Sequence, residues 1–546
     1  MAHDHDMLSS VALGADIECR VIVPSGNPRE LASARTAITE ALRASDTSPM
    51  PSAEVRWRMP RYFLPDSVGS FYWDVCPETD VFEYQTGECR TPQELVASQD
   101  AIRKVIRDRL GGRYSLAACG YMLSGASHRP LRFSGSHLNI TFNSRGADTR
   151  PVPDLLMAPA VQNALLFFLA TSPHIGIGAG FGPHWSLRSH PACIMYDVSE
   201  SCCDGKGLLQ PGRHEAVAAH ETGWHYTHLE AGGWARGSYI RVLDVAMAAI
   251  HAHLAFHHTR EVLDFLARYG IQGNEEMSWH VLRRRLSRTL LASDRIAHKV
   301  RCGPNYWSLV DFAHLRQDLY ARYLPERNQI DWVAWAYRQC ESMAEDLERN
   351  QPCGPLLGID AYVKMKYLYE PLLREQYGLE LRDIWPRSDT NAEEPTRSPS
   401  VKGARAIREQ LYGLSILWHD FAATGPGLYE EVIAANPELA PWTTPDLEMP
   451  EGLPRSRARR RAILLAAYQE LCRRTGGKIT PAFAGFHRMG VLIEGDAGPS
   501  VHYHPTPNVL DERLSPEDLR LVEEHCRLAR VEPGPVIAHA LALQEG

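Results

Sequence analysis

The chain has 546 residues with a formal net charge of −8, 44% hydrophobic and 23% charged residues, the balance of a folded globular protein long enough for two to four domains. A net-acidic chain offers no global attraction to nucleic acid or to an anionic membrane, and its longest apolar runs, such as 160–170, are too short to span a bilayer. Twelve scattered cysteines without a repeated C-x-x-C, and a start that lacks the order of a secretory signal, point to reduced thiols and a cytoplasmic location.

In chain order, Val11–Val23 alternates like a strand and ends at Pro24-Ser25-Gly26, and Arg29–Ala44 has helical periodicity. Ser70–Val75 is aromatic and strand-like. Thr91–Leu110 opens with a threonine N-cap and a proline at the first helical position. Ser134–Asn143 alternates with period two, Val152–Ser172 is helical, and Gly176, Gly178, Gly180 and Gly182 mark a turn without a P-loop or dinucleotide fingerprint. Long helices are expected over 240–268, 274–299, 306–323, 330–350 and 359–378. Residues 387–400 read as a linker between a catalytic domain (1–386) and a C-terminal domain (401–546) with helices at 401–422, 455–474 and 515–544. Strands come early and helices late, which predicts an α+β fold with an antiparallel sheet backed by helices.

Asp16 and Glu18 lie two apart on one strand and so share a face. Two acids on an apolar strand cost stability unless a cation meets them. Tyr72, Asp74, Glu83 and Glu88 add oxygen donors on neighbouring strand-like segments, a donor set suited to Mg²⁺ shared with phosphates. His137 and Asn139 follow on the next alternating segment, and Arg188 and Arg213 have the chemistry of phosphate clamps. The histidine-dense stretch from His214 to His228 lacks the spacing of a zinc-protease helix. His251, His253, His257 and His258 read as core or surface residues, and His502 and His504 show no partner pattern. The basic run 455–461 reads as a solvated helix start.

These segments, taken in order, resemble the Pup ligase and Pup deamidase (depupylase) family of glutamine-synthetase-like carboxylate–amine ligases. Gly14-Ala15-Asp16-Ile17-Glu18 resembles the family's opening G-x-E-x-E strand, and Phe71-Tyr72-Trp73-Asp74 the strand of its catalytic aspartate. Glu83-Tyr84-Gln85-Thr86-Gly87-Glu88-Cys89 is similar to P-E-Y-x-T-P-E-C without its prolines, and His137-x-Asn139 to H-E-N-Y. Trp185–His190, Arg213-His214-Glu215 with His228, Ile330–Ala334, Ile359–Tyr362 and 402–408 resemble further family segments, and the tail after about 430 has no counterpart.

The resemblance implies a glutamine-synthetase-like catalytic domain with a curved, mainly antiparallel sheet, plus a small, mainly helical C-terminal domain. It implies ATP and Mg²⁺ as cofactors, Asp74 as catalytic base, and metal coordination by Asp16, Glu18, Tyr72, Glu83, Glu88 and His137. Arg188, Arg213 and His228 would bind the nucleotide. The partners it implies are a small ubiquitin-like or Pup-like modifier and target proteins, with no nucleic acid and no membrane. The family's reaction activates the modifier's C-terminal carboxylate as an acyl phosphate and joins it to a protein lysine. Alternatives are deamidase or isopeptidase action on the modifier, a small-molecule glutamate–amine ligase, or a scaffold. The interval from Glu18 to Asp74 is too short for the loop of the deamidase branch, which favours ligation.

Overall fold

The computed structural model describes residues 8, 11–22, 28–48, 60–65, 69–76, 79–118, 136–143, 159–172, 194–198, 206–210, 224–231, 236–271, 279, 282, 286, 299–302, 304–324, 330–349, 353–380, 383, 404–422, 424–483, 489–495, 498–505 and 511–545. For 74–76, 79, 80, 136, 137, 139, 141–143, 194–198, 206–210, 224–231, 361, 404, 405, 408, 409 and 412 only the backbone is described. The linker expected at 387–400 lies outside the described residues.

The first part of the chain runs β1 (Ala12–Ile22), α1 (Pro28–Leu42), β2 (Arg61–Phe63), β3 (Gly69–Cys76), β4 (Thr79–Thr86), α2 (Pro92–Leu110), β5 (Ser115–Ala117), β6 (Ser136–Asn143) and α3 (Pro159–Thr171). Then come β7 (Ile194–Val198), β8 (Lys206–Gln210), β9 (Trp224–Ala231), α4 (Ser238–His257), α5 (Thr259–Arg268), β10 (Val300–Cys302), β11 (Asn305–Trp307), α6 (Leu309–Tyr323), α7 (Asp331–Glu348) and a continuous helical run, α8, over 360–377. The remainder is α9 (Ala404–His419), α10 (Leu428–Ala435), α11 (Arg457–Thr475), β12 (Ile479–Phe483), β13 (Met489–Gly495), β14 (Gly498–Tyr503), α12 (Pro516–Leu528) and α13 (Pro533–Glu545).

Nine strands form one sheet in the order β2-β3-β4-β1-β6-β9-β8-β7, with β5 beside β6 on the same edge of β1. All pairs are antiparallel except β7–β8, in keeping with an α+β fold. Strand alternation divides the sheet into two faces. Ala15, Ile17, Cys19, Phe71, Trp73, Phe82, Tyr84, Leu138 and Ile140 form the buried apolar face. Helix α2 packs on β1 and β4, and α4 on β6. Helix α2 is well started and well stopped: Thr91 Oγ1 accepts from Glu94 N, Pro92 takes the first turn, and Gly111 closes it at φ 56°, where a side chain would be strained. Helix α4 is long and apolar enough to cross a membrane by length and composition, but 89% of that window is buried inside the protein. The expected helix over 240–268 is divided at His258 into α4 and α5.

Asp360 explains one of the sequence segments singled out above. Its buried Oδ2 accepts from Arg236 N at 2.8 Å and from Trp418 Nε1 at 2.9 Å, tying α8 to α9 and to the start of α4. Leu411, Trp418, Phe421 and Leu439 accordingly belong to the large core. A second core begins at α11 and combines α11, α12, α13, β12 and β13 with Phe63 and Ala44. The C-terminal part is rich in helix and also carries a three-stranded antiparallel sheet of its own, β12, β13 and β14.

Candidate functional site

On the face opposite the apolar core, backbone register lines up polar positions in transverse rows. One row runs Tyr72 (β3), Glu83 (β4), Glu18 (β1). The next runs Ser70, Gln85, Asp16, His137 (β6) and Glu230 (β9). A third joins Gly14, Asn139, His228 and Gln210. On the other side of the first row, Asp74 and Arg20 both sit opposite Val81. Six sequence segments that lie up to about two hundred residues apart thus meet on adjacent strands, because an antiparallel sheet converts register into neighbourhood.

The described side chains at the centre are buried: Asp16 is 8% exposed, Glu83 3% and Gln85 1%. The Tyr72 hydroxyl donates to Glu83, and its pKa is pushed well above the usual tyrosine value. Burial is the main cause, followed by the charges of Glu83 and Asp16, with Arg61 opposing them. The Arg61 guanidinium lies 4.7 Å from the Tyr72 ring centroid and donates to Gln85 Oε1 at 3.0 Å. Ser70 Oγ donates to the same oxygen at 3.2 Å. Gln85 Nε2 is left as a buried donor without a partner among the described residues, a costly arrangement unless an acceptor arrives. A small crevice, lined by Ser70, Gln85, Thr86, Glu88, Ala458 and Arg461 among others, opens between this end of the sheet and α11.

The structure brings Asp16, Tyr72 and Glu83 together and sets Glu18 beside Glu83 in register. Asp74, His137 and His228 occupy the strand positions given above, and their side chains lie outside what is described. Arg188 and Arg213, the glycine-rich turn and the Trp185–His190 segment also lie outside the described residues. Among the described residues no group of three or more His, Cys, Asp or Glu side chains is gathered as a metal cage. The donor set of Asp16, Glu18 and Glu83 is nevertheless all oxygen, the chemistry that a hard divalent cation takes.

Glu88 is placed elsewhere than the sequence suggested. Its carboxylate accepts from Arg457 Nε at 2.6 Å and from Arg461 at 3.0 and 2.7 Å. Burial pushes its pKa up, but these two guanidinium groups overcome that and hold it at about 2. A carboxylate so fully engaged by α11 is a clamp between β4 and the C-terminal part, not a metal ligand. The basic run 455–461 is correspondingly not solvated: Arg460 binds Asp518 and Arg459 binds Glu512. Sequence reasoning passed over Arg20, Arg61, Ser70, Gln85 and Glu230. For four of these the signal was parity, since Ser70, Gln85, Arg20 and Glu230 each stand two positions from a residue already singled out.

The comparisons with known proteins match this architecture. The chain shares its fold with the Pup ligase PafA in complex with the prokaryotic ubiquitin-like protein Pup, with a TM-score of 0.58 at 14% identity, over 99% of this chain and 95% of that one. It likewise matches the Pup ligase PafA in complex with ADP, with a TM-score of 0.53 at 15% identity, over 91% of this chain and 93% of that one. No protein-family model and no curated protein sequence matches the chain. The resemblance read from the ordered sequence segments is met by a shared fold, and the 99% coverage takes in the tail after about 430, which is therefore not without a counterpart.

Proposed function

We propose that this chain is a member of the Pup ligase family: a cytoplasmic ATP-dependent carboxylate–amine ligase that joins the C-terminal carboxylate of a small Pup-like modifier to a protein lysine. The observation that carries this reading is the pair of buried acids, Asp16 and Glu83, gathered with Tyr72 on the sheet of a fold shared with a Pup ligase over 99% of the chain. Asp16, Glu18, Glu83, Tyr72 and His137 would hold Mg²⁺, which when bound neutralises charge on the transferring phosphate. Gln85 Nε2 supplies a donor for a phosphate oxygen beside them, and Arg188, Arg213 and His228 are assigned to the nucleotide.

In the reaction the modifier's carboxylate oxygen attacks the γ-phosphorus and ADP leaves. The lysine nitrogen then attacks the acyl carbon, phosphate leaves, and the nitrogen's proton passes to Asp74. Arg61 and Ser70 orient Gln85 through its Oε1, and the Tyr72–Glu83 hydrogen bond fixes a carboxylate that would help hold the nucleotide's metal. Incubation with ATP, Mg²⁺ and a modifier ending in glutamate should release ADP together with a lysine-linked product. Formation of a free acid from an amide-ended modifier, with nucleotide bound but no net ATP consumed, would instead establish hydrolysis, and calorimetry without nucleotide binding would sink both.

A further inference from the structure

The C-terminal part holds a line of side chains that this reaction does not use. Arg460 of α11 grips Asp518 of α12 with two hydrogen bonds of 2.7 Å. His504 Nδ1 lies 2.9 Å from Asp518 Oδ1, and His504 Nε2 lies 2.9 Å from Tyr468 Oη. Tyr468 Oη lies 2.7 Å from His525 Nδ1, and His525 Nε2 lies 3.2 Å from His502 Nδ1. The chain threads α11, the end of the β13–β14 hairpin and α12. Asp518, His525 and Tyr468 are fully buried and His504 is 3% exposed, so no substrate reaches them. His502 is half-buried and is the outlet.

Counting protons shows what such a chain can do. With all three rings neutral, His502 donates to His525, His525 to Tyr468, Tyr468 to His504, and His504 to Asp518. Every site is then satisfied once. One added proton reverses the first three bonds and comes to rest on His504, beside the Asp518 carboxylate, with no bond lost. A second proton has no such place. It leaves two N–H groups facing each other across 3.2 Å at His502 and His525, one of them on a positive ring, with the His504 cation further along the same chain.

We propose that this hydrogen-bonded chain is an acid-sensitive latch: it absorbs one proton through His502 and stays closed, and a second proton releases α12 and the β13–β14 hairpin from α11. The latch goes beyond the ligase reading and does not depend on it. Burial, then His502 and His504, hold the His525 pKa down at about 4. A histidine whose folded value lies below its ordinary one stabilises the closed form fully above about pH 6.5 and loses that contribution as pH falls toward about 4. The charged and titratable neighbours are Arg460 and Tyr468 from α11, His502 and His504 from the hairpin, and Asp518, Glu517, Glu524 and Cys526 from α12. Helix α13 meets the same core with Val536 and Ala540.

Hydrogen exchange on the full chain tests this, with peptides of α12 read against α7, which lies in the large core and cancels the intrinsic pH dependence. From about pH 7.5 to about pH 5, protection of α12 should fall on the order of tenfold relative to α7. His502→Gln removes the ring that takes the second proton at a half-buried strand position and should move the opening to lower pH. Tyr468→Phe keeps the ring but cuts the wire, so the first proton cannot reach His504 and the opening should move to higher pH. If Tyr468→Phe does not fold, His502→Gln still decides. Protection of α12 that tracks α7 in the natural protein, or an opening unmoved in His502→Gln, overturns the latch.

Discussion

The sheet and the C-terminal part both bury carboxylates, and they treat them differently. Around α11 carboxylates meet guanidinium groups: buried Asp518 meets Arg460, and Glu88, just past β4, meets Arg457 and Arg461. The pKa of each is pulled down against the opposing effect of burial. In the sheet, Asp16 and Glu83 are gathered with a phenol whose proton they help to retain. Acids that are saturated by arginine hold elements together, whereas acids gathered beside a phenol and an orphaned amide donor form a place for a ligand. The two uses are separated by less than one strand, since Glu88 follows Glu83 by five residues.

The comparison breaks most sharply at Asp74. Asp74→Asn should leave ATP binding nearly intact while lowering product formation by about 10²–10⁴-fold, the usual contribution of a general base, as checked by calorimetry and single-turnover assays. Retained turnover would remove Asp74 as the proton acceptor. Arg460→Leu should be the largest stability effect, about 3–5 kcal/mol, because it strands a fully buried carboxylate; denaturant unfolding followed in the C-terminal part measures it. Gly87→Val tests the junction itself. A Cβ at Gly87 would stand 2.4 Å from Ala458 Cβ, so the end of β4 and α11 must part, at a cost of about 1–3 kcal/mol read from the shift in melting.

Acid should loosen the same junction. The Glu88 pKa of about 2 lies below its ordinary 4.5, so the clamp's contribution is complete above about pH 4.5 and is lost as pH falls toward about 2. Glu88→Gln should flatten that part of the pH–stability curve and leave Mg²⁺-dependent nucleotide binding in place, whereas Glu83→Gln should weaken that binding. Equal losses of nucleotide binding in the two variants would erase the distinction between clamp and site.

Much of the fold was legible because its signals are local. β1, β3, α2, β6, α6 and α7 stand close to where alternation, aromatic content and capping residues put them. β9 was not legible: in Trp224-His225-Tyr226-Thr227-His228-Leu229-Glu230, aromatic or apolar and polar residues fall on both parities, so no period-two signal survives. The strands of the C-terminal part were hidden for a related reason, since β12 carries a proline and β14 opens Gly-Pro-Ser. His502 and His504 showed no partners in sequence because those partners, Tyr468, Asp518 and His525, come from two helices.

By itself the sequence determined that strands come early, that Asp16 and Glu18 share a face, and that the ordered segments resemble a ligase family. Those properties depend on residues a few positions apart and on their order along the chain. Only the tertiary structure decided which acids belong to the site and which to a clamp. Glu83 and Glu88 are the same residue type on one stretch, and what separates them is whether Tyr72 or two arginines of α11, some 370 residues away, come to lie beside them.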